Sequence, residues 1–204
     1  MSNVSHTQMT DGRKNAVPAK DSHSTGAAGG RWSTKRIAVY ALFVALGIIA
    51  SFIEVPIIPS IPFLKYDPSG IVGLVSGFAF GPAAGVIVSV LIMVPHLFVD
   101  PIGGLIALAC MLALVWPAAL VYQRIRDFKG ALLGLAIGVI LSMVVAILCN
   151  WASVPIYYGG NTQAFVAAIT ASIIPFNLAK LGIHAVVTFV IYKPISNLLA
   201  KTNI

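Results

Sequence analysis

Charged side chains are scarce in this sequence. Only 9% of the residues are charged and 58% are hydrophobic, and the mean hydropathy is +0.94. Soluble domains carry about 25% charged residues, so the composition excludes an ordinary soluble protein and indicates an integral membrane protein. Strand-length segments of alternating hydrophobicity are also missing, whereas helix-length apolar segments alternate with glycine and proline breaks. The sequence therefore predicts an all-α bundle of membrane-spanning helices rather than a barrel.

Catalytic and metal-binding motifs are absent as well. The sequence has no HExxH motif, no Walker-type GxxxxGK[ST] motif and no Ser/His/Asp set, so we expect no enzymatic activity and no ATP hydrolysis by this chain itself. The two cysteines, Cys110 and Cys149, both lie in apolar runs. We interpret them as small buried side chains rather than as a disulfide or a metal site.

The chain divides into a polar tail and six candidate spans. Residues 1–32 are rich in small polar residues and lysine, and are predicted to form a disordered cytoplasmic tail, whereas residues 33–204 form one membrane domain. Pro175 is expected to divide the last apolar segment into an outer shelf and the true span. The predicted spans are residues 37–52, 69–81, 83–98, 102–122, 130–152 and 164–199.

The basic residues are distributed asymmetrically. Of the 13 lysines and arginines, all except Lys65 and Lys180 fall in the N-terminal tail, in the loop after the fourth span or near the C-terminus. With six spans, the positive-inside rule places both termini in the cytoplasm. The net charge of +7 therefore reflects membrane orientation and does not indicate a nucleic-acid partner.

A polar pair interrupts the last apolar segment. Asn177 and Lys180 are one helical turn apart and share a helix face, and Asn150 lies at a similar outer depth in the preceding span. An ionisable residue at membrane depth is a functional candidate by default, although a lysine that snorkels to the headgroups is the alternative. With Trp151 beside them, these side chains predict a pocket open to the outside, beneath the proline-rich first loop.

Small residues mark possible helix-packing faces. Ala41 and Ala45 in the first span form a small-xxx-small pair that would let another helix approach closely, although alanine is common in membrane helices. Two glycine ladders, in spans two and five, predict similar close packing. They are Gly73, Gly77 and Gly81, and Gly130, Gly134 and Gly138.

Four motifs carry a family resemblance. They are Pro62-Phe-Leu-Lys-Tyr-Asp67 followed by Ser69, Phe80-Gly-Pro-Ala-Ala-Gly85, Cys149-Asn-Trp with Pro155-Ile-Tyr157, and Ile174-Pro-Phe-Asn-Leu-Ala-Lys180. Through them, residues 35–201 resemble the substrate-binding S components of energy-coupling factor (ECF) vitamin transporters, and most closely the riboflavin-transporter-like branch. The resemblance implies six helices in a bacterial cell membrane, cytoplasmic termini, and a vitamin site at the outer helix ends covered by the first loop.

The resemblance also implies roles for particular residues. Asn150, Asn177 and Lys180 match positions that hydrogen-bond flavin, and Ala41 and Ala45 match the patch that docks on the transmembrane coupling subunit. Two cytoplasmic ATPases would complete the complex, and the chain would need no cofactor of its own. The predicted substrate-binding residues are Leu64, Lys65, Tyr66, Asp67, Asn150, Trp151, Asn177 and Lys180.

Two departures from the riboflavin branch leave the ligand open. Gly70 stands where that branch usually has an acid after the serine, and the stretch from Gly104 to Cys110 is apolar where the branch commonly has a polar Gly-Glu-x-x-Asn-type segment. An apolar wall there would also suit a greasier flat ligand such as haem. His96 is then the histidine placed to meet the iron.

Two other classes of function remain open from the sequence. A self-sufficient secondary transporter is one, and a membrane assembly protein whose glycine ladders only bind partner helices is the other. Proton-coupled transport usually requires a carboxylate within the membrane. The acids near the spans instead lie at span ends or in loops, namely Glu54, Asp67, Asp100 and Asp127. The sequence therefore favours a binding subunit that draws its energy from partners.

Overall fold

The computed structural model describes residues 34–57, 65–157, 159, 161–168 and 172–201. Predictions for the tail and for Leu64 fall outside these residues. The elements in the described part are α1 (Thr34–Ser51), β1 (Val55–Pro56), β2 (Lys65–Tyr66), α2 (Ser69–Phe80), α3 (Pro82–Val99), α4 (Pro101–Arg124), α5 (Phe128–Ala152), α6 (Val154–Tyr157), α7 (Thr162–Ala168) and α8 (Ile174–Lys201).

Six apolar helices form the body of the protein. Among the described residues, α1, α3, α4, α5 and α8 are long and apolar enough to cross a membrane, and α2 is a shorter apolar helix. The prediction of an all-α, six-helix membrane protein is confirmed. The helix ends lie within a few residues of the predicted span ends for the first five spans.

Local sequence signals set several helix ends. Gly81, the last glycine of the α2 ladder, ends α2 with a φ of 98°, a left-handed conformation that glycine adopts without strain. Pro82 follows as the first residue of α3, where a missing backbone N–H breaks no hydrogen bond. Asp100 and Asp127 cap α4 and α5, because each carboxylate accepts a hydrogen bond from the backbone N–H three residues later.

The last apolar segment contains two separate helices among the described residues, whereas the sequence predicted a division at Pro175. In place of one helix over residues 164–199, α7 ends at Ala168 and α8 begins at Ile174. Pro175 lies in the first turn of α8, where proline is tolerated. The sequence did not predict α6, nor the short antiparallel pairing of β1 with β2.

Glycines bring α4 and α5 into close contact. A Cβ atom built at Gly134 would lie 2.6 Å from the carbonyl oxygen of Ala118, and one at Gly138 would lie 2.4 Å from that of Leu114. Both neighbours are backbone atoms, so a side chain at either position would force the two helices apart. The glycine ladder of α5 is therefore a packing face within this chain.

We expect Gly138→Ala to lower the melting temperature of the purified protein, because overpacking of a tight contact costs about 1–3 kcal/mol. Gly182→Ala in α8 is the matched control, since a Cβ there would meet no atom within 4 Å. Alanine also favours a helix over glycine by about 1 kcal/mol. A thermal-shift measurement in detergent compares the two variants, and equal melting temperatures would contradict the packing role.

The buried core lies among α2, α3, α4, α5 and α8. Leu74, Val88 and Val115 are fully buried at its centre. Met111 and Leu114 belong to this core and also line the large cavity described below. The packed core therefore forms one wall of that cavity.

Candidate ligand-binding site

A cavity of about 610 Å³ lies among the ends of several helices. Its size falls within the range of small-molecule sites in proteins, roughly 300–1,000 Å³. The apolar part of the wall comes largely from α4, with Ile106, Ala107 and Cys110 among its members. The polar side chains that line the cavity are Lys65, Asp67, Ser69, Asp100, Ser142, Asn150, Asn177, Lys180 and His184.

An ion pair joins the first loop to the last helix at this cavity. The Lys180 ammonium donates to Asp67 Oδ2 at 2.6 Å, and the Ser69 hydroxyl and backbone N–H both donate to Asp67 Oδ1. Burial raises the pKa of Asp67, but the Lys180 ammonium and the Ser69 hydroxyl outweigh that effect and hold the pKa below its ordinary value of 3.8. Asp67 is therefore ionised at neutral pH.

Two carboxamides face the same cavity. Asn150 Nδ2 donates to the carbonyl oxygen of Ala146 at 2.7 Å, and Asn177 Nδ2 donates to that of Ile173 at 2.9 Å. Each bond reaches a carbonyl four residues earlier in the chain and fixes the orientation of the amide. Each carboxamide then has an oxygen and a second N–H with which to bind a ligand.

His184 lies one turn after Lys180 on α8 and contacts the same loop. Its Nε2 is 2.9 Å from the carbonyl oxygen of Asp67. Because a carbonyl can only accept, Nε2 must carry the hydrogen, and Nδ1 is left as an acceptor. The side chain is buried and packs against the ring of Tyr66, with ring centroids 5.4 Å apart. Asp67 is thus held by Lys180 at its carboxylate and by His184 at its backbone.

A second ion pair lies further out. Lys65 donates to Glu54, and their side chains are 48% and 37% exposed. The Lys180 and Asp67 side chains are only 22% and 20% exposed. The increase in exposure from Lys180 to Lys65 indicates that the cavity opens toward the β1–β2 segment.

The structure brings most of the predicted binding residues together. Of those predicted from the sequence, Lys65, Asp67, Asn150, Asn177 and Lys180 line the cavity. Tyr66 packs on His184 behind the lining. Trp151 is 53% exposed and is not a lining residue. The prediction for Leu64 lies outside the described residues, and Ala41 and Ala45 are exposed on α1.

Other lining residues were not predicted from the sequence. For Asp100 the sequence does contain a local signal, because this aspartate directly precedes a proline at the start of a span. Ser142 donates to the carbonyl oxygen of Cys110 at 2.8 Å, a contact between α5 and α4 that no local motif announces. His184 is buried, and its contact with Asp67 was not predicted from the sequence.

The alternative of a haem ligand gains no support. His96 lies in the last turn of α3, its ring stacks on Phe52 at 5.1 Å between centroids, and it is not a lining residue of the cavity. Within the ranges that the structure describes, no group of three or more His, Cys, Asp or Glu side chains is arranged to hold a metal ion.

Comparisons with known proteins point to one family. The family described as "ECF transporter, substrate-specific component" matches residues 35–192. The chain is 29% identical over 176 residues to the riboflavin transporter RibU of Staphylococcus aureus (strain TCH60), covering 82% of this chain and 93% of that protein. It is 26% identical over 182 residues to RibU of Streptococcus thermophilus (strain ATCC BAA-250 / LMG 18311), covering 83% of this chain and 86% of that protein.

A solved structure is similar over nearly its whole length. It is described as the S component of a bacterial ECF transporter, and it matches this chain with a TM-score of 0.68 and 26% sequence identity. The match covers 81% of this chain and 97% of that one.

Proposed function

This chain belongs to the family of ECF transporter substrate-specific components, and from that premise we propose that it binds riboflavin as the substrate-binding subunit of a vitamin importer. It is a multi-pass membrane protein of a transport family and not an enzyme. In the proposed complex, the chain captures the vitamin from outside the cell. A transmembrane coupling subunit and two cytoplasmic ATPases then drive its delivery inward, and both termini of this chain lie in the cytoplasm.

One observation supports this proposal above the others: Asn150, Asn177 and Lys180 converge on one cavity that also has an apolar wall. The isoalloxazine ring of riboflavin has an apolar benzenoid edge and a polar edge with carbonyl acceptors and an imide N–H donor. The carboxamide oxygens suit the N–H donor. An ammonium has three N–H donors, so Lys180 can bond Asp67 and still donate to a ring carbonyl.

The α4 wall suits the flat ring. The stretch from Gly104 to Cys110 is apolar, and its lining members include Ala107 and Cys110, which are small. Small side chains leave room for a tricyclic ring to lie against the helix. The named relatives of this chain are riboflavin transporters, which favours riboflavin over another flat ligand of similar size.

The visible spectrum of the purified protein tests the ligand. We expect protein purified from riboflavin-replete cells to carry a yellow chromophore, and the emptied protein to quench flavin fluorescence on titration with micromolar riboflavin. The double variant Asn150→Leu/Asn177→Leu is the comparison, because it keeps similar side-chain volume and removes both carboxamides. No flavin in the purified protein and no quenching by added riboflavin would reject riboflavin as the ligand.

The source of energy requires a separate test. We expect riboflavin uptake only in cells that also express a coupling subunit and its ATPases, because this chain has no nucleotide-binding motif. Uptake by the chain alone, in a host that lacks those partners, would instead identify a self-sufficient secondary transporter.

A further inference from the structure

Two contacts fasten Asp67 to α8, and only one of them is an ion pair. Lys180 holds the carboxylate at 2.6 Å, and His184 donates to the backbone carbonyl at 2.9 Å. We propose that His184 is a positioning residue that holds the chain at Asp67 in place across the mouth of the cavity and so restricts passage through it, and that Gly70 is glycine because the His184 ring must occupy the space beside it.

The contact made by His184 is suited to hold a segment rather than a ligand. It reaches a backbone atom, so it fixes the path of the chain at Asp67 whatever the Asp67 side chain does. The ring is 2% exposed and packs on Tyr66, the residue before Asp67. Since Lys65 and Asp67 both line the cavity, the chain path through these residues sets the shape of its mouth.

Gly70 completes this arrangement. A Cβ atom built there would lie 2.5 Å from His184 Nδ1 and 2.6 Å from Cε1. Nδ1 is buried and has no hydrogen-bond partner, so the ring is held by its Nε2 bond and by packing. A methyl group at position 70 would therefore push the imidazole away from the Asp67 carbonyl. Gly70 and His184 act as one unit that joins the start of α2 to α8.

This inference deepens the proposed function and rests on it in one respect, namely that the ligand enters and leaves past Asp67. The chain at Asp67 can move away from α8 only when both contacts break, and that movement would widen the path for the ligand. Loss of the His184 contact should therefore speed ligand dissociation. His184 also lines the cavity, so the ligand-free protein gives the readout that does not depend on any contact between His184 and the ligand.

Cys110 can report how accessible the cavity is. It lines the cavity, whereas Cys149 is not a lining residue. In the full-length Cys149→Ser protein, the rate at which a cationic methanethiosulfonate reagent modifies Cys110 measures access to the cavity. We expect His184→Ala to raise that rate about tenfold, the effect of losing one hydrogen bond of ordinary net strength. The riboflavin dissociation rate should rise by a similar factor.

Four further variants make the test specific. His184→Gln keeps an N–H donor and should restore slow modification in part. Gly70→Ala should raise the Cys110 modification rate like His184→Ala. The double variant Gly70→Ala/His184→Ala should be modified no faster than His184→Ala alone, because the added methyl clashes only with the ring. His96→Ala removes a histidine outside the cavity, so Cys110 in that variant should be modified at the wild-type rate.

The outcomes separate this inference from the riboflavin proposal. An unchanged Cys110 modification rate in His184→Ala overturns the inference, even if the protein binds riboflavin. A faster rate in His184→Ala, restored in part by His184→Gln, supports it even if riboflavin does not bind. Strictly additive effects of Gly70→Ala and His184→Ala would reject the assignment of the two residues to one unit.

Discussion

Lys180→Ala is expected to weaken riboflavin binding by about 2–3 kcal/mol, or roughly 30- to 150-fold in Kd. The substitution removes a hydrogen-bond donor to the ligand and also leaves the Asp67 carboxylate unpaired beside the cavity. Truncating one partner of a fully buried charge pair can cost more than this. The Asp67 side chain is 20% exposed, so water relieves part of the penalty. Isothermal titration calorimetry of the emptied protein measures the change.

The double variant Asp67→Asn/Lys180→Met separates the two contributions. It removes both charges, so no carboxylate is left without a partner. If Lys180 donates to the ligand, the double variant should regain thermal stability but remain a weak binder. Lys193→Ala is the control for loss of a lysine from α8, since that residue is exposed and outside the cavity. An unchanged Kd in Lys180→Ala would contradict the assignment of this lysine to the site.

Much of the helix arrangement could be predicted from the sequence because it depends on local patterns. Apolar runs of helical length and their breaks at Gly81 and Pro175 lie near the observed helix ends. The spacing of Asn177 and Lys180 placed them on one face, and both line the cavity. The shared face follows from helical periodicity, and the helix lengths follow from the thickness of the bilayer. These two features can be predicted without knowledge of distant contacts.

The contacts between distant segments could not be predicted in the same way. Lys180 meets Asp67 across 113 positions of sequence, and His184 meets the same residue across 117. Such pairs depend on how helices pack, which hydropathy does not encode. Trp151 shows a related limit. It follows Asn150 directly, but successive residues on a helix differ by about 100° in direction, and its ring is not a lining group of the cavity.

A second large effect is expected on transport rather than on binding. Ala41→Trp/Ala45→Trp should abolish riboflavin uptake and leave the Kd of the purified protein unchanged. Both alanines are exposed on α1, and only Gly47 and Ser51 of that helix are buried. Small residues let a partner helix approach closely in a membrane, so two indole rings on this face would hold the proposed coupling subunit away.

The opposite face of α1 explains why binding should survive. A Cβ atom built at Gly47 would lie 2.1 Å from Ile92 Cδ1, so Gly47 brings α1 against α3 within this chain. Substitution of the exposed alanines does not disturb that contact. The cavity residues come from other elements, and none of the lining side chains belongs to α1. Riboflavin titration of the purified variant checks this part of the prediction.

Leu42→Trp/Leu46→Trp is the matched control on the same helix. These leucines are 58% and 52% exposed and already present large side chains, so tryptophan there should leave uptake close to wild type. Uptake is measured in cells that co-express the coupling subunit and ATPases, with each variant at equal abundance in the membrane. Wild-type uptake by Ala41→Trp/Ala45→Trp would show that this face does not dock a partner. Equal loss of uptake in both double variants would show that any added bulk on α1 is harmful, and the two alanines would then have no special role.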